Sequence, residues 1–228
     1  MLTAAQARPT ERAKFIQKTY LHLAGAVGAF ILVELFLFQT GIAVGLTNFV
    51  MASRFSWLLI LGGFMVLGWL ARSLAAQADS VNTQYAGLGL YVVLEALIFA
   101  PLLYIATVFS DANVLPTAAI LTTLMFAGLT AVVFISRKDF SFLGSILCVG
   151  GFIALGIILC GALFGFTLGL FFSIAMVIFA SAAILYDTSN VLHHYSTDQY
   201  VAASLELFAS VALLFWYVIQ VVMSLSRR

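Results

Sequence analysis

Apolar residues run through this chain in long unbroken stretches rather than in alternation or in amphipathic stripes. Polar residues appear chiefly as short punctuation between them. A helix needs roughly 20 apolar residues to cross a hydrocarbon core. Seven stretches meet that length: about 19–40, 56–76, 85–108, 114–135, 142–164, 167–192 and 200–222. The pattern predicts an all-α fold, a polytopic membrane protein of seven transmembrane helices. A β-barrel is excluded, because its strands would alternate over about ten residues. The narrowest division is at Gly165, Phe166 and Thr167, between the fifth and sixth spans. Glycines at Gly161, Gly165 and Gly169 stand four apart there, a spacing that suits close helix packing in a bundle.

Composition narrows the function. Of 228 residues, 64% are hydrophobic and 8% charged, with 10 Lys+Arg against 9 Asp+Glu. A soluble domain carries roughly 25% charged residues, so a soluble enzyme, a nucleic-acid binder and a disordered chain are all excluded. The net charge of +1 supplies no field for nucleic acid. The chain divides into a basic cytoplasmic tail, residues 1–18, and a transmembrane domain, residues 19–228. The tail holds Arg8, Arg12, Lys14 and Lys18 against Glu11. Because the next apolar run is long enough to span, it reads as an uncleaved anchor. With the N-terminus cytoplasmic, the tail, Arg72, Arg137 and Lys138 fall inside; Arg54, Arg227 and Arg228 fall outside. That asymmetry favours the orientation.

Most catalytic chemistry is missing. Cys148 and Cys160 share one span about 18 Å apart at 1.5 Å per residue, beyond disulfide reach. His193 and His194 point in different directions on a helix, and His22 lies on another span. There is no zinc motif, no Gly-x-Ser-x-Gly elbow and no lysine within a span. The expectation is a non-enzyme without a cofactor.

The informative residues are charges inside the spans. Each costs roughly 2.5–3.5 kcal/mol at a helix centre, so each needs a partner, water or a use. Glu34 lies in the first span, Arg72 near the end of the second, and Glu95 in the third. Asp187 is late in the sixth and Glu206 early in the seventh. A short loop joins these last two spans, which places Asp187 and Glu206 about 8 and 9 Å inside by the helical rise, at one level. Arg72 reaches that level as well. Two carboxylates crowded in a low dielectric do not both ionise cheaply and take up protons as a unit. Their oxygens also suit a hard cation such as Ca²⁺. One reading is therefore a pH-sensitive cation site, with Asp187 and Glu206 as Ca²⁺ ligands. The other is that both acids face loop water while Arg72 snorkels. Glu34 and Glu95 lie deeper, either lining a path or bonding helix to helix.

Two strings carry a resemblance over essentially the whole chain. Ile184-Leu185-Tyr186-Asp187-Thr188-Ser189-Asn190 precedes the last span, and Arg137-Lys138-Asp139-Phe140-Ser141-Phe142-Leu143-Gly144 opens the fifth. Together they resemble the Bax inhibitor-1 family, in the form of the bacterial branch that includes the modulator of the FtsH protease. The resemblance implies a seven-helix bundle with the last helix central, in a bacterial inner membrane. It also implies a pH-dependent Ca²⁺ leak governed by aspartates on the sixth and seventh helices and an arginine on the second. Asp187 falls on the first aspartate, and Arg72 matches the arginine by its position in the span. Ser210 stands where the second aspartate would be. Glu206, one turn earlier on the same face, is expected to substitute for it. The branch further implies regulation of a membrane-bound AAA protease, with the basic tail as a handle. The expected partners are thus the lipid bilayer, a cation and such a protease.

Overall fold

Continuous apolar sequence in a lipid environment becomes helix, because only an element that satisfies its own backbone polar groups is stable there. The computed structural model of the chain describes residues 3–77 and 80–226, and of Arg54 only the backbone. Arg227 and Arg228, counted above for orientation, lie outside the described residues, as does the Arg54 side chain. Among the described residues, eight helices follow one another: α1 Pro9–Gln39, α2 Ile42–Ala52, α3 Arg54–Ala75, α4 Val81–Val108, α5 Val114–Ser136, α6 Leu143–Phe164, α7 Leu170–His193 and α8 Tyr200–Ser226. Seven are long and apolar enough to span a membrane. The eighth, α2, is apolar but has 11 residues, about 16 Å at the α-helical rise and too short to cross.

Three differences from the sequence expectation have local causes. Most of the stretch between the first and second expected spans is helical, since Gly41 in a left-handed conformation (φ 76°) ends one helix and lets α2 begin at once. Helix α1 starts at Pro9, ahead of the expected 19, because proline fits the first helical turn, where its missing N–H costs nothing. The basic segment is thus mostly the first turns of α1. Gly165 acts as a stop rather than a packing surface. Its φ of 79° makes it the C-cap of α6, and a Cβ on Gly161 would sit 3.3 Å from the carbonyl of Phe166 in the connecting loop.

Helices α4 and α8 are the most buried. Helix α8 packs against α1, α3, α4, α5 and α7, and α4 against α1, α2, α3, α5 and α8. Aromatic rings lock their centre: Phe30 of α1 meets Phe99 of α4 edge-on at 5.2 Å, and Phe99 meets Trp216 of α8 edge-on at 5.0 Å. Helix α6 packs against α7 and α3 and is largely exposed along its length. Both cysteines lie on α6, exposed and free.

The N-terminal segment is tied to the α7–α8 loop. Ala4 N–H donates to the Tyr195 carbonyl at 2.8 Å, and Thr3 forms a single antiparallel bridge with Ser196. Among the described residues there is no longer strand.

Candidate functional site

The site begins with a close approach of two helices. Gly87 of α4 faces α3 so tightly that a Cβ there would lie 2.5 Å from both the Ala71 carbonyl oxygen and the Ala75 nitrogen. Small residues at such a crossing let backbones touch. The contact sets Arg72, on the last turn of α3, beside Tyr91, one turn beyond Gly87. Arg72 Nη2 donates to the Tyr91 hydroxyl at 3.2 Å, and its guanidinium carbon lies 5.3 Å from the ring centroid.

Helix α8 brings the acids. Arg72 Nη1 donates to Glu206 Oε2 at 2.7 Å. One turn later, Ser210 donates its hydroxyl to Asp187 Oδ2 on α7. Glu95, one turn beyond Tyr91 on α4, is buried. All of these side chains line one cavity of about 750 Å³. From this polar end the cavity continues along apolar walls that include Phe64, Phe99, Leu213 and Trp216, towards Phe172 and Gln220.

The structure therefore brings together five of the six residues singled out from sequence: Asp187, Glu206, Ser210, Arg72 and Glu95. Asp187 and Glu206 share the cavity but are held by different partners, Asp187 by Ser210 and Glu206 by Arg72. Glu34 is not among the lining residues. It is buried on α1, one turn after Phe30, and neither carboxyl oxygen has a hydrogen-bond partner among the described residues. Among those residues, no group of three or more His, Cys, Asp or Glu side chains is arranged to hold a metal ion.

Sequence reading missed Tyr91 and the way the α5–α6 loop docks. A tyrosine in an apolar span carries no special signal, although its four-residue spacing from Gly87 and from Glu95 marks one helix face. The loop is the more instructive case. Phe140 N–H donates to Ser189 Oγ at 2.9 Å, and Ser189 Oγ donates to Asp139 Oδ1 at 3.3 Å. His194 Nε2 pairs with Asp139 Oδ2 at 3.1 Å. The string beginning Arg137-Lys138-Asp139 thus clamps onto the helix end that carries Asp187. Arg137 adopts a left-handed conformation (φ 52°) as the C-cap of α5 and turns the chain into the clamp.

The Asp139 carboxyl is held below its ordinary value, chiefly by the Ser141 backbone N–H at 2.8 Å and further by the Ser141 and His194 side chains. A lowered carboxyl favours the folded clamp above the unfolded value of about 3.9 and loses that contribution as the pH falls through the folded value. The clamp is accordingly expected to be intact at neutral pH and to open only in strong acid. Asp139→Asn is expected to raise amide exchange in residues 137–142 at pH 7, measured by hydrogen–deuterium exchange. Unchanged protection would mean that the backbone contacts alone hold the loop.

A sequence profile for inhibitors of apoptosis-promoting Bax1 matches residues 12–227. Bax inhibitor 1 of Schizosaccharomyces pombe is 32% identical over 170 residues, covering 72% of this chain and 61% of that protein. An uncharacterised protein of Pseudomonas aeruginosa is 37% identical over 110 residues, 48% of this chain and 49% of that one. The Golgi anti-apoptotic protein of Vaccinia virus is 34% identical over 117 residues, 49% of this chain and 48% of its own length. The chain spans about half the length of the first two curated relatives by sequence similarity. With the profile covering nearly all of its residues, this chain belongs to the Bax inhibitor-1 family.

Proposed function

We propose that the protein is a pH-sensitive leak pathway or exchanger for cations, with Ca²⁺ as its substrate and Asp187 as the proton-responsive group. The observation that supports this reading is the cavity end where Asp187, Ser210, Glu206 and Arg72 meet from three helices. In the ionised state Glu206 holds Arg72, which fastens α3 to α8, while Asp187 holds Ser210, which fastens α7 to α8. A proton on either carboxylate removes the charge that its partner donates to, and charge-assisted hydrogen bonds are roughly twice as strong as neutral ones. Loosening these fastenings lets α3 and α7 move relative to α8. Glu95, Tyr91 and Tyr186 line the same cavity, with Tyr217 further along, and Tyr195 in the α7–α8 loop also lies near both acids.

The test is Ca²⁺ uptake into liposomes holding purified protein, followed across pH. Wild-type flux is expected to rise as the pH falls. Asp187→Asn, neutral at every pH, is expected to flatten that profile, and Glu206→Gln to shift its midpoint as strongly. An effect from Ser210→Ala with none from Glu206→Gln would remove Glu206 from the role of second acid. Equal flux with and without protein would instead favour a non-conducting regulator of a membrane-bound protease. For that reading the exposed Arg8, Lys14 and Lys18 at the start of α1 supply a contact surface. Both readings place the chain in a bacterial cytoplasmic membrane with this basic end inside.

A further inference from the structure

The cavity is more than its polar end. Its charged lining comprises Arg72, Glu95, Asp187 and Glu206, three acids against one base. Arg72 takes Oε2 of Glu206, and Ser210 takes Oδ2 of Asp187. The second oxygen of each carboxylate accepts no hydrogen bond among the described residues. Beyond this end the walls are apolar, with Phe64, Phe99, Leu213, Trp216, Phe172 and Met176. Beyond the polar end, the cavity runs along α8 from Ser210 to Gln220, about 15 Å at the helical rise, the span of roughly a dozen extended methylenes. A volume of about 750 Å³ lies within the roughly 300–1,000 Å³ of sites that bury a small organic ligand.

A hydrated cation gains nothing from such walls, whereas an alkyl chain arriving from the bilayer exchanges one apolar environment for another and keeps its methylenes out of water. We propose that the cavity binds a single-chain amphiphile from the bilayer, with a primary ammonium head among Asp187, Glu206 and Glu95 and its alkyl tail along α8 towards Trp216 and Phe172. The sign of the head follows from the lining. An ammonium offers three donors and no acceptor, which suits free carboxylate oxygens, and an anionic head would meet uncompensated acids. The head would occupy the same acids to which the cation reading is assigned, but its binding does not depend on that reading and its test involves no flux.

Two of the three tryptophans report on the cavity. Trp57 and Trp216 both line it and stack at 5.7 Å. Trp69 is 70% exposed on the outer face of α3 and is removed by Trp69→Phe. In that background, indole emission is titrated with an ω-bromoalkylammonium of 11 or 12 carbons and with the bromoalkyl sulfate of equal length (a chain of about that extent follows from the rise above). Saturable quenching is expected, at an at least tenfold lower concentration for the ammonium. Ala154→Phe, which adds a ring to the cavity wall, is expected to raise the half-quenching concentration at least tenfold. Asp187→Asn with Glu95→Gln is expected to abolish the preference for the ammonium. Linear quenching that is equal for both heads, or saturable quenching that is unchanged by a folded Ala154→Phe protein, would overturn the proposal. Should Ala154→Phe not fold, the comparison of the two heads decides alone.

Discussion

Replacing Gly87 with alanine is expected to destabilise the protein severely and to strip Arg72 from Glu206. In an exposed helix the same change would help by about 1 kcal/mol, because glycine is the poorer helix former. Here the added Cβ would stand 2.5 Å from backbone atoms of Ala71 and Ala75, and backbone cannot rotate aside as a side chain can. Overpacking typically costs about 1–3 kcal/mol, and a clash with backbone belongs at or beyond the upper end. Helix α3 must move off α4, and Arg72 at its C-terminal end moves with it. Thermal unfolding in detergent should show the loss, and a disulfide trapped between cysteines placed across the α3–α4 crossing should form more slowly. A melting temperature equal to wild type would show that the crossing relaxes without cost. In the folded fraction, the pH profile of Ca²⁺ flux should resemble that of a chain lacking Arg72.

The opposite sign is expected at Glu34. The residue is 6% exposed, and both oxygens of its carboxyl are buried without a hydrogen-bond partner among the described residues. A buried polar group without partners costs about 1–3 kcal/mol. Glu34→Leu removes that cost and fills the same space with carbon. In a chain of this size each kcal/mol moves the melting point by about 2–4 °C, so a rise of several degrees is expected. A fall in melting temperature would reveal a companion for the carboxyl, and a rise accompanied by lost flux would place Glu34 on the ion's route. The first outcome speaks to stability, the second to function, and one purified variant answers both.

The spans were legible because hydrophobic length is a one-dimensional property. Every run of about 20 apolar residues became a helix, and the acids at 187 and 206 met because a short loop leaves two helices no choice but to be neighbours. Helix α2 was not legible, since 11 apolar residues satisfy no spanning criterion and Gly41 signals only a turn. The pairing within the site was hidden for a different reason. Asp187 and Glu206 are close in depth, yet depth does not say which partner each acid finds. That depends on the rotation of α3, which is set by Gly87 on another helix. The cavity was equally hidden, because an apolar residue that lines a void and one that faces lipid read alike in sequence. The motif strings at 137–144 and 184–190 read in sequence as separate signatures; only their contact through Ser189 shows that they form one joint.

The strap between the N-terminal segment and the last loop bears on biogenesis. Ala4 bonds to Tyr195, and the Ser204 hydroxyl of α8 donates to the Thr19 carbonyl of α1 at 2.9 Å. None of these contacts can exist until synthesis has passed the α7–α8 loop and the start of α8. At about 5–20 residues per second, the leading end waits many seconds for its mate. During that wait α1 lacks its partners on α8, and the bundle is sealed only by the α7–α8 hairpin.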